Sequence, residues 1–235
     1  MARPRFTGNK KPNENDWEVM KVIGVCGRKG GSGKTTVAIH LAAELSSRGF
    51  KVIFIDCDIQ GSATYWAEPG NLPMPVQHMA LENENEVGAW SATVRGMDAD
   101  YIVLDSPPHI DAALGGVIGV SDVTVLPATP SGLDLIAAAE TIGLIRDFRK
   151  ANGGEKPKIV LVPNRVDRRT TSGRELRFAL RDLGEETAPE LRARTAFVDA
   201  FNSGEWVGAY APNSLARKEI SVLTNRVTEI LEQQE

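Results

Sequence analysis

The sequence has little cysteine and no long apolar run. Its 235 residues include only two cysteines, Cys26 and Cys57, a usage typical of proteins in a reducing compartment. Both lie at the ends of predicted strands, where we interpret them as small buried hydrophobic residues. No apolar stretch approaches the roughly 20 residues needed to span a bilayer. We therefore expect a globular cytoplasmic protein.

An excess of positive charge is also missing. The formal net charge is −4, so the molecule as a whole is not an electrostatic binder of nucleic acid, and any DNA contact must come from a local basic face. The hydrophobic content of 42% and charged content of 25% are ordinary for a globular protein. A chain of this length can bury a substantial core.

Short apolar runs alternate with helical patterns along most of the chain. Strands are predicted at 22–26, 52–55, 76–81, 102–104, 123–126 and 159–162, and helices at about 37–48, 131–150, 172–183 and 213–233. Continuous apolar strands separated by helices predict an α/β fold, namely a doubly wound, mostly parallel sheet with helices on both faces. We expect residues 1–20 to form a flexible polar extension and residues 21–235 to form a single domain.

A glycine-rich loop, "GRKGGSGKTT" at 27–36, follows the first predicted strand and precedes a helix. Glycines let backbone N–H groups surround an anion, the helix N-terminus adds positive potential, and Lys34 adds a full charge. Thr35 supplies the hydroxyl that normally binds Mg²⁺ in such loops. The sequence therefore predicts a phosphate site formed by Gly30, Gly31, Ser32, Gly33, Lys34, Thr35 and Thr36.

Three aspartates directly follow two later buried strands. Asp56 and Asp58 follow the strand at 52–55, and Asp105 follows the strand at 102–104. Parallel-sheet proteins bind ligands at the carboxyl ends of their strands, so these carboxylates should lie near the glycine-rich loop. Asp105 can accept a hydrogen bond from Mg²⁺-bound water that also contacts Thr35.

These motifs resemble those of the ParA/MinD family of ATPases, and most closely those of small plasmid ParA proteins. "KGGSGKT" resembles the family's deviant phosphate loop. Arg28, just before it, stands where an ordinary phosphate loop has its first glycine. In the family the early lysine, here Lys29, reaches the phosphates of the other subunit of a dimer. "DCDIQG" resembles the family's "DxDPQG", with Ile59 in place of proline. The resemblance implies catalytic roles for Lys29, Lys34 and Asp58, the last as the residue that orients the attacking water.

Further assignments rest on the same resemblance. It places Asp56 in the Mg²⁺ shell with Thr35 and Asp105, whose "DSPP" resembles the family's "DxPP". The stretch "VLPATPSGLDL" resembles a ParA segment near the dimer interface, although a capped strand–helix turn explains it equally well. Asn164 and Arg165 occupy the strand end where adenine is usually held. A surface ion pair between Arg165 and an aspartate is the alternative explanation for that arginine.

The C-terminal third is rich in arginine. Eight arginines lie between residues 165 and 194, and much of this span predicts a solvated helix face with i,i+4 ion pairs. Arg192, Arg194, Arg217 and Lys218 have fewer acidic neighbours in sequence. ParA relatives bind DNA without sequence preference through basic residues of this region, so these four are our candidates for contacts to DNA phosphates.

The last predicted helix distinguishes between two branches of the family. Its apolar stripe is formed by Ile220, Leu223, Val227, Ile230 and Leu231. A membrane-targeting helix needs a cationic polar face, whereas this helix carries several glutamates. We therefore predict that it packs on the sheet, and we expect no membrane partner.

Together the resemblance implies an ATPase that requires ATP and Mg²⁺, forms a homodimer on ATP binding and binds nucleoid DNA non-specifically. An adaptor protein, ParB-like or bound to the cargo, would stimulate hydrolysis. The expected cargo is a plasmid or chromosome-origin complex, with carboxysomes or chemotaxis clusters as other possibilities. The alternatives are a MinD-like regulator at a membrane surface and a metabolic phosphate-loop enzyme that uses ATP.

Overall fold

The structure, a computed structural model, describes residues 20–108 and 111–233. The extension predicted for residues 1–20 lies outside this range except for Met20. The described strands are β1 (Lys21–Val25), β2 (Val52–Asp56), β3 (Val76–His78), β4 (Tyr101–Asp105), β5 (Val123–Ala128), β6 (Lys158–Pro163) and β7 (Glu186–Thr187). Each of the six predicted strands is present, and β7 is a two-residue addition that the sequence pattern did not predict.

Helices connect these strands. They are α1 (Lys34–Ser47), α2 (Ser62–Ala67), α3 (Val87–Arg95), α4 (Asp111–Val120), α5 (Gly132–Ala151), α6 (Thr171–Arg181), α7 (Thr195–Asn202), α8 (Val207–Tyr210) and α9 (Leu215–Glu232), with a short 3-10 turn before α3. Helices α6 and α9 start at side-chain caps: Thr170 accepts from the backbone N–H of Gly173 at α6, and Ser214 accepts from that of Arg217 at α9.

The strands form one sheet in the order β3-β2-β4-β1-β5-β6-β7. Every strand pair in it is parallel. This confirms the predicted α/β architecture, with a sheet that is wholly parallel where a mostly parallel one was predicted. The chain moves outwards in opposite directions from β1, so the carboxyl end of β1 lies at the point where strand order reverses. Ligands of doubly wound sheets bind at this position.

Apolar side chains cover both faces of the sheet. On one face, Ile23 and Val25 of β1 pack with α1, α7, α8 and α9; on the other, Val22 and Cys26 pack with α3, α4, α5 and α6. Because successive strand residues point to opposite faces, a strand buried on both sides must be apolar throughout. Cys26 and Cys57 are fully buried, as predicted, and burial raises the pKa of the Cys26 thiol to about 12.

The C-terminal helix α9 packs as predicted. Its apolar stripe is buried in the core cluster that also contains α1, so this face is not available for insertion into a lipid surface. In the part of the chain that the structure describes, no helix is both long enough and apolar enough to cross a membrane.

Candidate functional site

The glycine-rich loop joins β1 to α1 and surrounds the side chain of Lys34. Gly31 and Gly33 have φ angles of 80° and 90°, a region that side chains other than glycine rarely tolerate. A Cβ atom on Gly33 would also lie 2.4 Å from Nδ2 of Asn164. Lys34 is buried, and its Nζ donates to the backbone oxygen of Lys29 across the loop at 2.9 Å. The loop thus places an ammonium group and a helix N-terminus together.

The environment of Lys34 is strongly polarised. Burial lowers the pKa of its ammonium, and the nearby carboxylates of Asp105, Asp58 and Asp134 act against that shift. Three acidic side chains, from the end of β4, the loop after β2 and the start of α5, therefore lie close enough to Lys34 to stabilise its charged form. Gly30, Ser32 and Thr36, which were also predicted to bind phosphate, complete the loop and the first turn of α1.

Lys29 is held by its own chain in this structure. Its Nζ forms an ion pair with the buried carboxylate of Asp134 on α5 and lies 3.5 Å from Oγ of Ser131. Asp134 also accepts hydrogen bonds from the backbone N–H of Thr129 at 2.8 Å and from its hydroxyl at 2.7 Å. Burial alone would raise the pKa of Asp134, but these hydrogen bonds outweigh it and hold the pKa below its ordinary value. A role for Lys29 in a second subunit requires this ion pair to break.

Thr35 and Asp105 meet at the carboxyl ends of the adjacent strands β1 and β4. The Thr35 hydroxyl donates to Oδ2 of Asp105 at 2.6 Å, while Oδ1 of Asp105 is buried and has no hydrogen-bond partner in the described structure. Burial, reinforced by the charges of Asp56 and Asp58, raises the pKa of Asp105 to about 7. A buried carboxylate oxygen without a partner, next to a hydroxyl, fits the hard oxygen ligands that Mg²⁺ prefers.

Asp56 is held by hydrogen bonds to the segment that follows β2, and its predicted place in the Mg²⁺ shell stays a prediction. Its Oδ1 accepts from the backbone N–H of Asp58 at 3.1 Å, and its Oδ2 accepts from the backbone N–H and the hydroxyl of Thr64 at 2.9 and 3.0 Å. Both carboxylate oxygens therefore fasten the loop after β2 to the start of α2. In this structure Asp56 positions Asp58, and Thr64, which the sequence reading missed, is its partner.

Asp58 lies half-buried in a short turn. Its Oδ1 accepts from the backbone N–H of Gln60 at 3.0 Å, and its backbone oxygen accepts from the N–H of Gly61 at 3.0 Å and lies 2.8 Å from Nε2 of His78. Ile59, which replaces the family's proline, is exposed, so the turn forms without the rigid ring. The turn keeps the Asp58 carboxylate near Lys34 and Asp105.

Asn164 and Arg165 contact the glycine-rich loop from the end of β6. Asn164 Nδ2 donates to the backbone oxygen of Ser32 at 2.8 Å, and Arg165 Nη1 donates to that of Gly31 at 3.1 Å. Arg165 has a φ angle of 52°, which is uncommon for a residue other than glycine. Among the described residues Arg165 pairs with no carboxylate, and Asp167 pairs with Arg169. Both residues brace the loop, and adenine contact stays a prediction.

The four residues proposed to contact DNA are less free than the sequence suggested. Arg192 pairs with Glu190 at 3.0 Å, Arg194 with Glu219 at 3.0 Å from its Nε, and Arg217 with Glu44 at 3.4 Å. The expectation that they are poorly balanced by acids is therefore wrong for these three. The partner of Arg192 lies two residues away in sequence, whereas folding brings Glu219 and Glu44 to Arg194 and Arg217 from distant segments. Lys218 is exposed and has no carboxylate partner among the described residues.

A parallel α/β sheet with a glycine-rich loop, a buried lysine and a threonine–aspartate pair at its switch point defines a phosphate-loop nucleotide-binding protein. The chain belongs to the family of CobQ/CobB/MinD/ParA nucleotide-binding domains, whose family model matches residues 23–207. The predicted family is thereby confirmed.

Known relatives match most of the chain. The protein named maintenance of carboxysome distribution protein A from Halothiobacillus neapolitanus is 30% identical and aligns with 87% of this chain and 95% of its own. Its namesake from Gloeobacter kilaueensis is 35% identical, with 79% of each chain aligned. The ATP complex of a Cyanothece McdA variant superposes with a TM-score of 0.74 at 21% identity, covering 92% of this chain and 97% of that one. This last similarity shows a shared fold.

Proposed function

We propose that this protein is a Mg²⁺-dependent ATPase that dimerises on ATP binding, binds nucleoid DNA and positions a large cytoplasmic cargo. The observation that carries the ATPase proposal is the unpartnered Oδ1 of Asp105 beside the Thr35 hydroxyl, at the mouth of the loop that holds Lys34. A phosphate loop and a magnesium site have to lie this close for one ion to contact both protein and nucleotide.

The roles of individual residues follow from their positions. The loop N–H groups and Lys34 would bind the nucleotide phosphates, and Thr35 and Asp105 would hold Mg²⁺, which supplies charge neutralisation between the phosphates. Asp58 would orient the attacking water, held in place by Asp56. Lys29 would leave Asp134 and bind the phosphates of the partner subunit.

The cargo proposal is supported by the named relatives. Both curated relatives described above are carboxysome distribution proteins, so we propose intracellular positioning of a large assembly, with plasmid or chromosome partition as the related alternative. In either case a cargo-bound adaptor would stimulate hydrolysis. The buried apolar stripe of α9 speaks against a MinD-like membrane role.

The metal proposal is tested by the Mg²⁺ dependence of nucleotide binding. Wild-type protein should bind a fluorescent ATP analogue more tightly in Mg²⁺ than in EDTA, and Asp105→Asn should lose most of that difference. Asp98→Asn is the matched control, because this exposed aspartate pairs with Lys51 away from the loop. An unchanged Mg²⁺ effect in Asp105→Asn would contradict the assignment.

The cellular proposal is tested by measuring which added components stimulate ATP hydrolysis. We expect ATP hydrolysis to respond to duplex DNA together with the adaptor, and not to liposomes. Stimulation by anionic liposomes alone would favour the membrane-surface alternative. Hydrolysis that depends on a small-molecule substrate would favour the metabolic alternative.

A further inference from the structure

Helix α6 has an unusual distribution of charge. Its Leu176 and Leu180 are buried against the sheet. At about 100° per residue, Arg174, Arg177 and Arg181 fall within a stripe roughly 60° wide beside that buried face. We call these three residues the α6 arginine stripe. The exposed Phe178 borders the stripe, and Glu175, the one acidic residue of α6, lies about 100° around the helix from its nearer edge. Charges on α6 are therefore segregated by sign.

The arginines of the stripe also differ from the other arginines of this region in the groups that they contact. The other arginines of the region that pair with carboxylates are Arg168 and Arg192 with Glu190, Arg169 with Asp167, and Arg194 with Glu219. Arg174 instead donates to the backbone oxygens of Arg168 and Arg169 at 3.2 and 3.1 Å. In the described ranges, Arg177 and Arg181 have no carboxylate partner, and the buried Nε of Arg177 has no hydrogen-bond partner. The predicted i,i+4 ion pairs are therefore not found on α6.

The spacing within the stripe places like charges next to one another, and only Arg181, in the last turn, is favourably placed for the helix dipole. Arg177 and Arg181 are separated by four residues and Arg174 and Arg177 by three, spacings at which like charges on a helix repel by a few tenths of a kcal/mol. Phe178 adds an aromatic ring that is 66% exposed. Residues whose spacing works against the stability of their own helix occur preferentially at functional surfaces.

We propose that the α6 arginine stripe binds the phosphates of duplex DNA. This inference rests on the proposed DNA-binding function and assigns it to a surface that the sequence reading treated as a solvated face. Seven residues of helix separate the outer arginines by about 10 Å, and one DNA strand presents a phosphate about every 3.4 Å along its axis. A guanidinium without a carboxylate partner can bind phosphate in bidentate fashion without first breaking an ion pair.

The composition of the helix favours DNA over a lipid surface. The other large apolar side chains of α6 are buried in the core, so Phe178 alone faces outwards. An interfacial membrane helix needs a broad apolar face to enter the lipid. One exposed ring beside three arginines provides charge for a polyanion but little apolar area for insertion.

The test compares two double variants with the same change in charge. Arg177→Gln/Arg181→Gln removes two stripe residues, whereas Arg168→Gln/Arg169→Gln removes two arginines that are paired with carboxylates. Binding of a random-sequence fluorescent duplex is measured by anisotropy with Mg²⁺-ATP over a range of salt concentrations. Basal ATP hydrolysis and near-UV circular dichroism report on whether each variant remains folded.

Loss of two phosphate contacts should flatten the slope of log affinity against log salt by about 1.8, and at roughly 0.1 M salt weaken binding on the order of 50-fold. The control pair should change the slope far less. Arg181→Gln alone, at an exposed position, should flatten it by about 0.9, which keeps the test informative if the double variant misfolds.

Three outcomes would overturn the proposal. If the wild type binds DNA and the stripe variants bind it equally well, the stripe is wrong while DNA binding stands. If the control pair weakens binding as much as the stripe pair, charge alone explains the effect. If the wild type does not bind DNA with ATP but binds vesicles of anionic phospholipid, both the stripe assignment and the proposed DNA-binding function fail.

Discussion

Asp134→Asn should strengthen ATP-dependent dimerisation, because Asp134 holds Lys29 on its own chain. The asparagine oxygen can still accept from the N–H and hydroxyl of Thr129, which in the structure both donate to Oδ2. The amide nitrogen then takes the place of Oδ1, the atom paired with Lys29. A carboxylate that attracts the ammonium is thereby replaced by an NH₂ donor that repels it.

The size of the effect follows from the exposure of the two side chains. Asp134 is 2% exposed and Lys29 is 35% exposed, so solvent screens the pair from one side only. Exposed pairs contribute about 0.2–1 kcal/mol and broken buried pairs cost about 3–5 kcal/mol, which places this pair at about 1–2 kcal/mol. If two such pairs break in each dimer, their removal should lower the dimer dissociation constant by at least about tenfold.

The assay is light scattering or sedimentation over a range of protein concentrations with Mg²⁺-ATP. Asp147→Asn is the control, because Asp147 is exposed on the same helix. The free energy of unfolding of the Asp134→Asn monomer should fall by about 1–2 kcal/mol while its dimer becomes tighter. A dimer of wild-type strength, or a weaker one, would refute the inference that this ion pair opposes dimerisation.

Three further predictions concern single residues. Lys34→Ala should lose most of its affinity for ATP, measured by titration calorimetry, and affinity within about threefold of the wild type would contradict its phosphate role. Asp58→Ala should bind ATP and dimerise but hydrolyse it at least roughly a hundredfold more slowly; turnover at the wild-type rate would leave the carboxylate without a catalytic role. Burial lowers the pKa of His40 to about 3, so the unfolded chain takes up its proton first, near pH 6.5, and stability falls as the pH drops from there towards 3. Between pH 7 and 5, urea unfolding of the wild type should lose about 2 kcal/mol more than that of His40→Gln; equal losses would show that His40 is not neutral in the fold.

Features defined by contiguous residues could be predicted from the sequence. The glycine-rich loop, Thr35 and Asp105 each follow or end a recognisable strand, and parallel strands bring their carboxyl ends to one edge. Thr64 was missed because a threonine in the first turn of a helix normally indicates nothing more than local solvation. Thr64 has a role only because Asp56, at the end of β2, accepts hydrogen bonds from its N–H and hydroxyl groups.

Contacts between distant segments could not be predicted. Lys29 meets Asp134 because β5 lies next to β1 in the sheet, a neighbour relation that local patterns do not specify. Arg217 finds Glu44 because α9 packs on α1. Judging arginines by their neighbours in sequence therefore selected paired residues as DNA candidates. Helix α4 was also not predicted, because the Gly115-Gly116 pair lowers the helix propensity of a segment that burial stabilises as a helix.

The central claim is that ATP joins two chains through Lys29, and the oligomeric state in Mg²⁺-ATP tests it most directly. Sedimentation velocity should be compared for Asp58→Ala, which is expected to retain ATP, and for the same variant carrying Lys29→Ala. We predict a dimer for the first and a monomer with normal ATP affinity for the second. A monomeric Asp58→Ala variant with bound ATP, or an equally strong dimer without Lys29, would contradict the account.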